Sequence, residues 1–353
     1  MTDLDNPEIY TKLDCEGMLD RLKDMPAQFH HAWQMALDLN LPPDYSNINK
    51  IVVLGMGGSA IGGDLVASLV HDEAILPIEI CRDYSLPAFV DDQTLVIASS
   101  YSGNTEETLS SFEQALKTGS KKVVISTGGK LKEMAEKHGV PVFLFDYKAQ
   151  PRAALPYSFL PILAILQKLS VIEDKSADVA KMVELLKRLS RILNESIHTP
   201  QNPAKELAKK LYGKIGVIYG AEFLSEVARR WKTQLNENSK AWSFFEVLPE
   251  LNHNAVVGYQ FPSELAGKIL VVFLRSKLLN PRTLLRYNIT QLLLEQNKIE
   301  YQVVDAEGEN PLSHLASLVL FGDYVSFYIA LLYKTDPCPV QAIDFLKGEL
   351  GKK

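Results

Sequence analysis

Cysteine is scarce: Cys15, Cys81 and Cys338 are the only three in 353 residues. So few, and so scattered, they supply neither a disulfide framework nor a Cys-rich metal site, and they point to a reducing compartment. No HExxH and no CxxC occurs, so no metal site is expected. Positive charge is in deficit. A net charge of −6 at pH 7 argues against nonspecific nucleic-acid binding. The acidic opening, Met1-Thr2-Asp3-Leu4-Asp5, lacks the basic and apolar regions of a signal peptide. No apolar run reaches the roughly 18 residues a membrane helix needs. Leu318–Tyr333 comes nearest, but Gly322 and Asp323 interrupt it, and it reads as a buried helix. The expectation is a cytoplasmic protein with neither membrane nor nucleic-acid partner.

What is present is ordinary globular material, 46% hydrophobic and 23% charged. The length suggests two domains, because single cores stop growing at roughly 250–300 residues. Residues 8–40 carry helical spacing and end at Pro42-Pro43-Asp44. Apolar runs follow at Ile51–Leu54, Ala74–Ile80, Thr94–Ala98, Lys122–Ser126 and Val140–Phe145. Helical segments at Ile61–Val70, Glu106–Lys117 and Leu131–His138 separate them. Continuous apolar strands alternating with helices predict a parallel sheet covered on both faces.

From 156 to 212 the pattern is all helical, and then the strand plan restarts. Ile215–Tyr219 ends in Gly220 as Ile51–Leu54 ends in Gly55, and Ile269–Leu274 and Tyr301–Val304 are further strands. The fold class is therefore α/β, with two doubly wound parallel-sheet subdomains related by internal duplication, helical connections and a C-terminal helix. The expected domains are 1–153 and 154–353. The second half lacks the glycine- and serine-rich loops of the first. Such divergence suggests that one half binds an anchor group and the other supplies chemistry.

The loop Gly55-Met56-Gly57-Gly58-Ser59-Ala60-Ile61-Gly62-Gly63 joins a strand to a helix. Its glycines let backbone N–H groups approach an anion, and the helix N-terminus adds positive dipole. A dinucleotide fingerprint competes, since Gly55, Gly57 and Ala60 partly fit it and Glu79 or Asp83 could be the ribose partner. The second loop, Ser99-Ser100-Tyr101-Ser102-Gly103-Asn104-Thr105, shifts the balance. Hydroxyls at Ser100, Ser102 and Thr105, with free N–H groups at a helix start, can surround one phosphate. A simple cap by Thr105 would need only one of those hydroxyls.

The Gly57-Gly58-Ser59 loop and the Ser100–Thr105 loop resemble the signature of sugar isomerase, or SIS, domains. Two such domains, with Gln150-Pro151-Arg152-Ala153 between them and Leu235-Asn236-Glu237-Asn238-Ser239-Lys240 after the second, resemble the bifunctional phosphoglucose/phosphomannose isomerases. The resemblance runs from about residue 15 to the end. It implies interconversion of glucose 6-phosphate, and of mannose 6-phosphate, with fructose 6-phosphate through an enediolate, without a cofactor.

Such a reaction needs a base shuttling a proton between C2 and C1, an acid–base group for ring opening, and a cation beside the enediolate. The resemblance places the base at Glu237, with Glu246 and Glu250 as nearby rivals. It places ring opening at His253, in Leu251-Asn252-His253-Asn254 after the helix-breaking segment Phe244–Pro249, read as part of an inserted loop. It implies that this histidine comes from the neighbouring subunit of a homodimer. Arg152 becomes the enediolate cation, and Lys347 a contact to the sugar oxygens. Gly57, Gly58, Ser59, Ser100, Ser102 and Thr105 hold the phosphate. A different SIS isomerase or a non-catalytic sugar-phosphate sensor is the alternative. A sensor has no need of an acid, a base and a lysine at these positions.

Overall fold

The computed structural model describes residues 2–352. In chain order it contains α1 (Glu8–Leu13), α2 (Met18–Asp38), β1 (Lys50–Leu54), α3 (Gly57–Leu69), β2 (Ile78–Cys81), β3 (Thr94–Ser100), α4 (Glu106–Ala115), β4 (Lys121–Ser126), α5 (Gly129–Lys137) and β5 (Val142–Leu144). The helices α6 (Pro156–Lys168), α7 (Ser176–Leu193) and α8 (Pro203–Leu211) follow. Then come β6 (Ile215–Ala221), α9 (Ser225–Glu237), β7 (Ser243–Leu248), β8 (Ile269–Arg275), α10 (Pro281–Gln296), β9 (Glu300–Asp305), α11 (Pro311–Leu332) and α12 (Gln341–Leu350).

Both sheets are wholly parallel. The first has the order β2-β1-β3-β4-β5 and the second β7-β6-β8-β9. Central strands such as β3, buried at every position, are covered on both faces, which is why they read as unbroken apolar runs. The two orders match strand for strand, with β6, β7, β8 and β9 standing where β1, β2, β3 and β4 stand. In each sheet the direction of winding reverses between the first and third of these strands. That is where doubly wound sheets bind ligands, at the strands' carboxyl ends.

The helices carry these sheets on one continuous core that includes residues of both. Helix α6 packs against α2 and α3, and α11 against α7, α8 and α9. Helix α3 also packs on α9, so the helices that follow the two leading strands meet across the seam. Helix α11 is the apolar stretch expected to be buried. It is long and apolar enough to cross a membrane, yet 94% of its most apolar window lies inside the protein.

Several boundaries differ from expectation, each for a local reason. Residues 8–40 form two helices, because the Asp14 carboxylate accepts the N–H groups of Met18 and Leu19 at 2.7 and 2.8 Å and starts α2 afresh. The second strand begins only at Ile78, after Pro77, which has no N–H to give a ladder. The segment Phe244–Pro249 is not a loop. It holds β7, an edge strand whose exposure alternates and so lacks the unbroken apolar signature. His253 closes a short turn directly after it. The expected C-terminal helix is present as α12, with Phe345, Leu346 and Leu350 exposed by 71%, 59% and 54%.

Candidate active site

The first-half loops sit at the carboxyl ends of β1 and β3. Gly57 has φ +50°, a backbone state that favours glycine. A Cβ on Gly58 would lie 3.0 and 3.1 Å from the backbone of Pro151 and Arg152, so this loop presses against the segment joining the halves. Gly103 has φ +64°, and a Cβ there would stand 1.8 Å from the Gly128 carbonyl oxygen.

The hydroxyls divide into two kinds. Ser59 is buried, and its Oγ accepts the Tyr101 N–H at 3.0 Å, tying the two loops together. Ser100 Oγ and Thr105 Oγ1 share a hydrogen bond of 2.9 Å. Ser102 is exposed, and its Oγ accepts the Asn104 N–H at 3.2 Å. Thr105 stands at the N-cap of α4, but its side chain makes no capping bond. The start of α4 therefore has no side-chain acceptor at its cap, although Glu106 and Glu107 stand in its first turn.

The second half delivers its groups on α9. Glu237 ends this helix with its side chain 28% exposed. Arg152 is nearly enclosed, at 3%. Its Nε donates to Asn238 Oδ1 at 2.6 Å, and its Nη2 donates to the carbonyls of Pro337 and Cys338 at 2.7 and 2.8 Å. Its Nη1 reaches Glu237 Oε2 at 3.5 Å. Burial pulls the guanidinium pKa down, and the Glu237 carboxylate opposes that pull. Arg230 is held by Asp323 at 2.6 Å in a buried ion pair, and also donates to the Arg152 carbonyl at 3.1 Å. Gln234 completes the Asp323 shell at 3.0 Å.

These groups line one cavity of about 200 Å³ at the seam. Gly57 and Gly58 bound it from the first half, Arg152 from the junction, and Glu237 from α9. Arg82, Arg229, Arg230 and Lys232 also line it; Arg82, Arg229 and Arg230 are paired with Asp64, Glu226 and Asp323, which leaves Arg152 and Lys232 beside the Glu237 carboxylate. Such a wall attracts a phosphorylated anion and stabilises oxyanion charge developing beside the carboxylate. Near Arg152 lies Lys240, an exposed residue whose ammonium donates to the carbonyls of Asn238 and Asp336 at 3.2 and 2.6 Å. Burial of that ammonium, and then the charge of Arg152, bring it down to about 8.

The structure thus brings Gly57, Gly58, Arg152 and Glu237 together. Ser59, Ser100, Ser102 and Thr105 form the adjoining loops. His253 and Lys347 are both exposed and lie outside the cavity's lining. Glu246 and Glu250 do not line it either. The other α9 residues at the cavity carry no motif in the sequence, although Arg230, Thr233 and Gln234 lie seven, four and three residues before Glu237. That spacing places them on its helical face. The carbonyls of Pro337 and Cys338 offer no side-chain signal at all.

A glycine loop and a hydroxyl loop at the switch point of a parallel sheet, in a chain that repeats the plan, define a two-domain SIS protein. Residues 200–350 match the family described as bacterial phospho-glucose isomerase C-terminal SIS domain. The chain is 41% identical over 336 residues to the bifunctional phosphoglucose/phosphomannose isomerase of Caldicellulosiruptor bescii, covering 95% of this chain and 99% of that one. It is 36% identical to the Aquifex aeolicus protein of the same name, over 89% of this chain and 94% of the relative. A glucose-6-phosphate isomerase like protein from Thermus thermophilus shares the fold with a TM-score of 0.65 at 17% identity, over 96% of this chain and 99% of that one. The chain belongs to the bifunctional phosphoglucose/phosphomannose isomerase family.

Proposed function

We propose that this chain interconverts glucose 6-phosphate and mannose 6-phosphate with fructose 6-phosphate by proton transfer through an enediolate. The observation that carries the reading is the seam cavity, where one carboxylate, Glu237, faces Arg152 beside the glycine loop. Residues 1–153 supply the phosphate anchor through Gly57, Gly58, Ser59, Ser100, Ser102 and Thr105. Residues 154–353, with Arg152 at the junction, supply the chemistry.

With the phosphate fixed, the sugar chain extends toward α9. Glu237 takes the proton from C2 and returns it to C1, so one carboxylate serves both carbons. Arg152 donates toward the oxygens that gain negative charge in the enediolate. Its geometry is set in advance by Asn238 and the two carbonyls, so no reorganisation is needed during reaction. This route calls on no cofactor.

His253 opens the pyranose ring in the active site of a neighbouring subunit, which makes the working unit a homodimer. Its exposure directly after an edge strand suits donation across an interface. Lys347, on the exposed face of α12, contacts the sugar oxygens. We place the enzyme in the cytoplasm, where its hexose phosphates are found.

Coupled assays with glucose 6-phosphate and mannose 6-phosphate test the substrate assignment, and both are expected to yield fructose 6-phosphate. In deuterated water the product should gain deuterium at the carbon that receives the proton. Turnover without any wash-in would replace the proton shuttle with a hydride shift and remove Glu237 from its role.

A further inference from the structure

The strand pairings give a residue-by-residue correspondence between the halves. Lys50 of β1 pairs with Thr94, and Leu54 with Ala98. In the second sheet Ile215 pairs with Ile269, and Tyr219 with Phe273. The neighbouring ladders agree, since Leu54 pairs with Cys81 and Tyr219 with Glu246. Counting forward from these pairs, Glu222 stands where Gly57 stands, and Asn280 where Thr105 stands.

The backbone confirms the first match. Gly57 has φ +50° and Glu222 has φ +51°. That region favours glycine and is unfavourable for a residue with a Cβ. Glutamate keeps the loop's shape while adding a charged side chain, and that side chain has a specific destination. Its two carboxylate oxygens each accept the Asn280 N–H at 3.1 Å, and Oε1 also accepts the Thr283 hydroxyl at 2.6 Å. Thr283 is buried. The carboxylate therefore lies at the start of α10, at the switch point of the second sheet, as the phosphate position lies at the start of α4 in the first.

The two helix starts differ accordingly. The cap of α4 has no side-chain acceptor, whereas α10 has the Asn280 side chain on the Arg282 N–H as well as the Glu222 carboxylate. There is room beside it. A cleft of about 940 Å³ is lined by Glu222, Asn280, Arg282, Thr283 and Arg286, among others.

We propose that the Glu222 carboxylate is a built-in anion that fills the second half's counterpart of the phosphate position and so limits the chain to one phosphate site. It acts through charge and shape together. A phosphate arriving at α10 meets a carboxylate already holding the donors it needs, and like charge repels it. Replacing Glu222 frees those donors, with Arg282 and Arg286 beside them, and opens a second site for a phosphate monoester or inorganic phosphate. The inference rests on reading the first-half loops as the phosphate site.

The test is equilibrium dialysis of the full-length protein against labelled inorganic phosphate. Wild type should bind one equivalent per chain and Glu222→Gly two. With Ser102→Ala and Thr105→Ala in the background, the counts should fall to zero and one. Catalytic efficiency of Glu222→Gly should stay within about twofold of wild type, since Glu222 is outside the seam cavity. Should the glycine variant not fold, Glu222→Asn serves. Asparagine tolerates positive φ and is one methylene too short to reach Asn280. One equivalent on both wild type and a folded variant, or two on wild type, overturns the proposal. None on wild type overturns the phosphate-site reading, and this proposal with it.

Discussion

The two halves of the chain share strand order and winding, and differ in what their loops present. The first half presents backbone: glycines at 57, 58 and 103 and an uncapped α4. The second presents side chains: Glu237 and the cations of α9, and a carboxylate across the start of α10. A parallel sheet fixes where its loops gather but not what they hold. On the function proposed above, removing side chains from one copy yields an anion cradle, and adding them to the other yields acid–base groups aimed at whatever the cradle holds. If this division is correct, changes in the first half move binding and changes in the second move the chemical step.

The largest expected effect is on the chemical side. Glu237→Gln keeps the size of the side chain but removes the base, and should lower kcat by about 10²–10⁴ with KM little changed. Solvent deuterium wash-in should disappear with it. A near-normal kcat would hand the base to Glu246 or Glu250 and break the assignment of chemistry to α9. The reciprocal test is Ser102→Ala with Thr105→Ala. Hydrogen bonds to a charged group contribute about 1.5–3 kcal/mol, so KM should rise roughly ten- to hundredfold for each bond lost, with kcat held. An unchanged KM would dissolve the division from the other side.

A third experiment asks whether the second half reaches beyond its own chain. Glu237→Gln and His253→Ala subunits, each inactive alone, should regain roughly a quarter of wild-type activity after random mixing, because one site in each heterodimer has both groups. Native mass spectrometry would establish exchange. Exchange without recovery would place both residues in one subunit's site.

The smallest effect is a pH dependence. Lys240 loses its proton near 8 in the folded protein, against an ordinary value of 10.5. Between those values the unfolded chain binds the extra proton, so stability should rise with pH across that window and be flat below it. Denaturant melts of Lys240→Met should lose that rise, and a variant that keeps it would assign it to another group.

How far the sequence reveals this depends on what kind of atom does the work. β1, β3 and β4 are plain because central parallel strands are apolar on both faces. β7 is not, because an edge strand alternates and Pro249 makes it look like a loop. The glycine and hydroxyl loops are legible because residue type itself is the signal. Glu237 and Arg152 needed the family resemblance, since a lone Glu at a helix end has many uses. Arg230 has a readable position on the helix, but its partner Asp323 lies 93 residues away and carries no local signal. Thr105 shows the opposite case, since its place at the cap was foreseeable but its bond to Ser100 was not.

Arg152 is satisfied by partners 85, 86, 185 and 186 residues further along the chain. During synthesis the first sheet and its loops leave the ribosome well before those partners exist. On the proposed reading, a nascent chain can therefore own a finished anion cradle while its guanidinium still lacks the acceptors that aim it. Closure over such long separations is slow in folding generally. The enzyme should acquire its grip first and its reaction last, when the loop carrying Pro337 and Cys338 has been released. A translation-arrested chain ending before residue 337 should hold phosphate and turn over nothing.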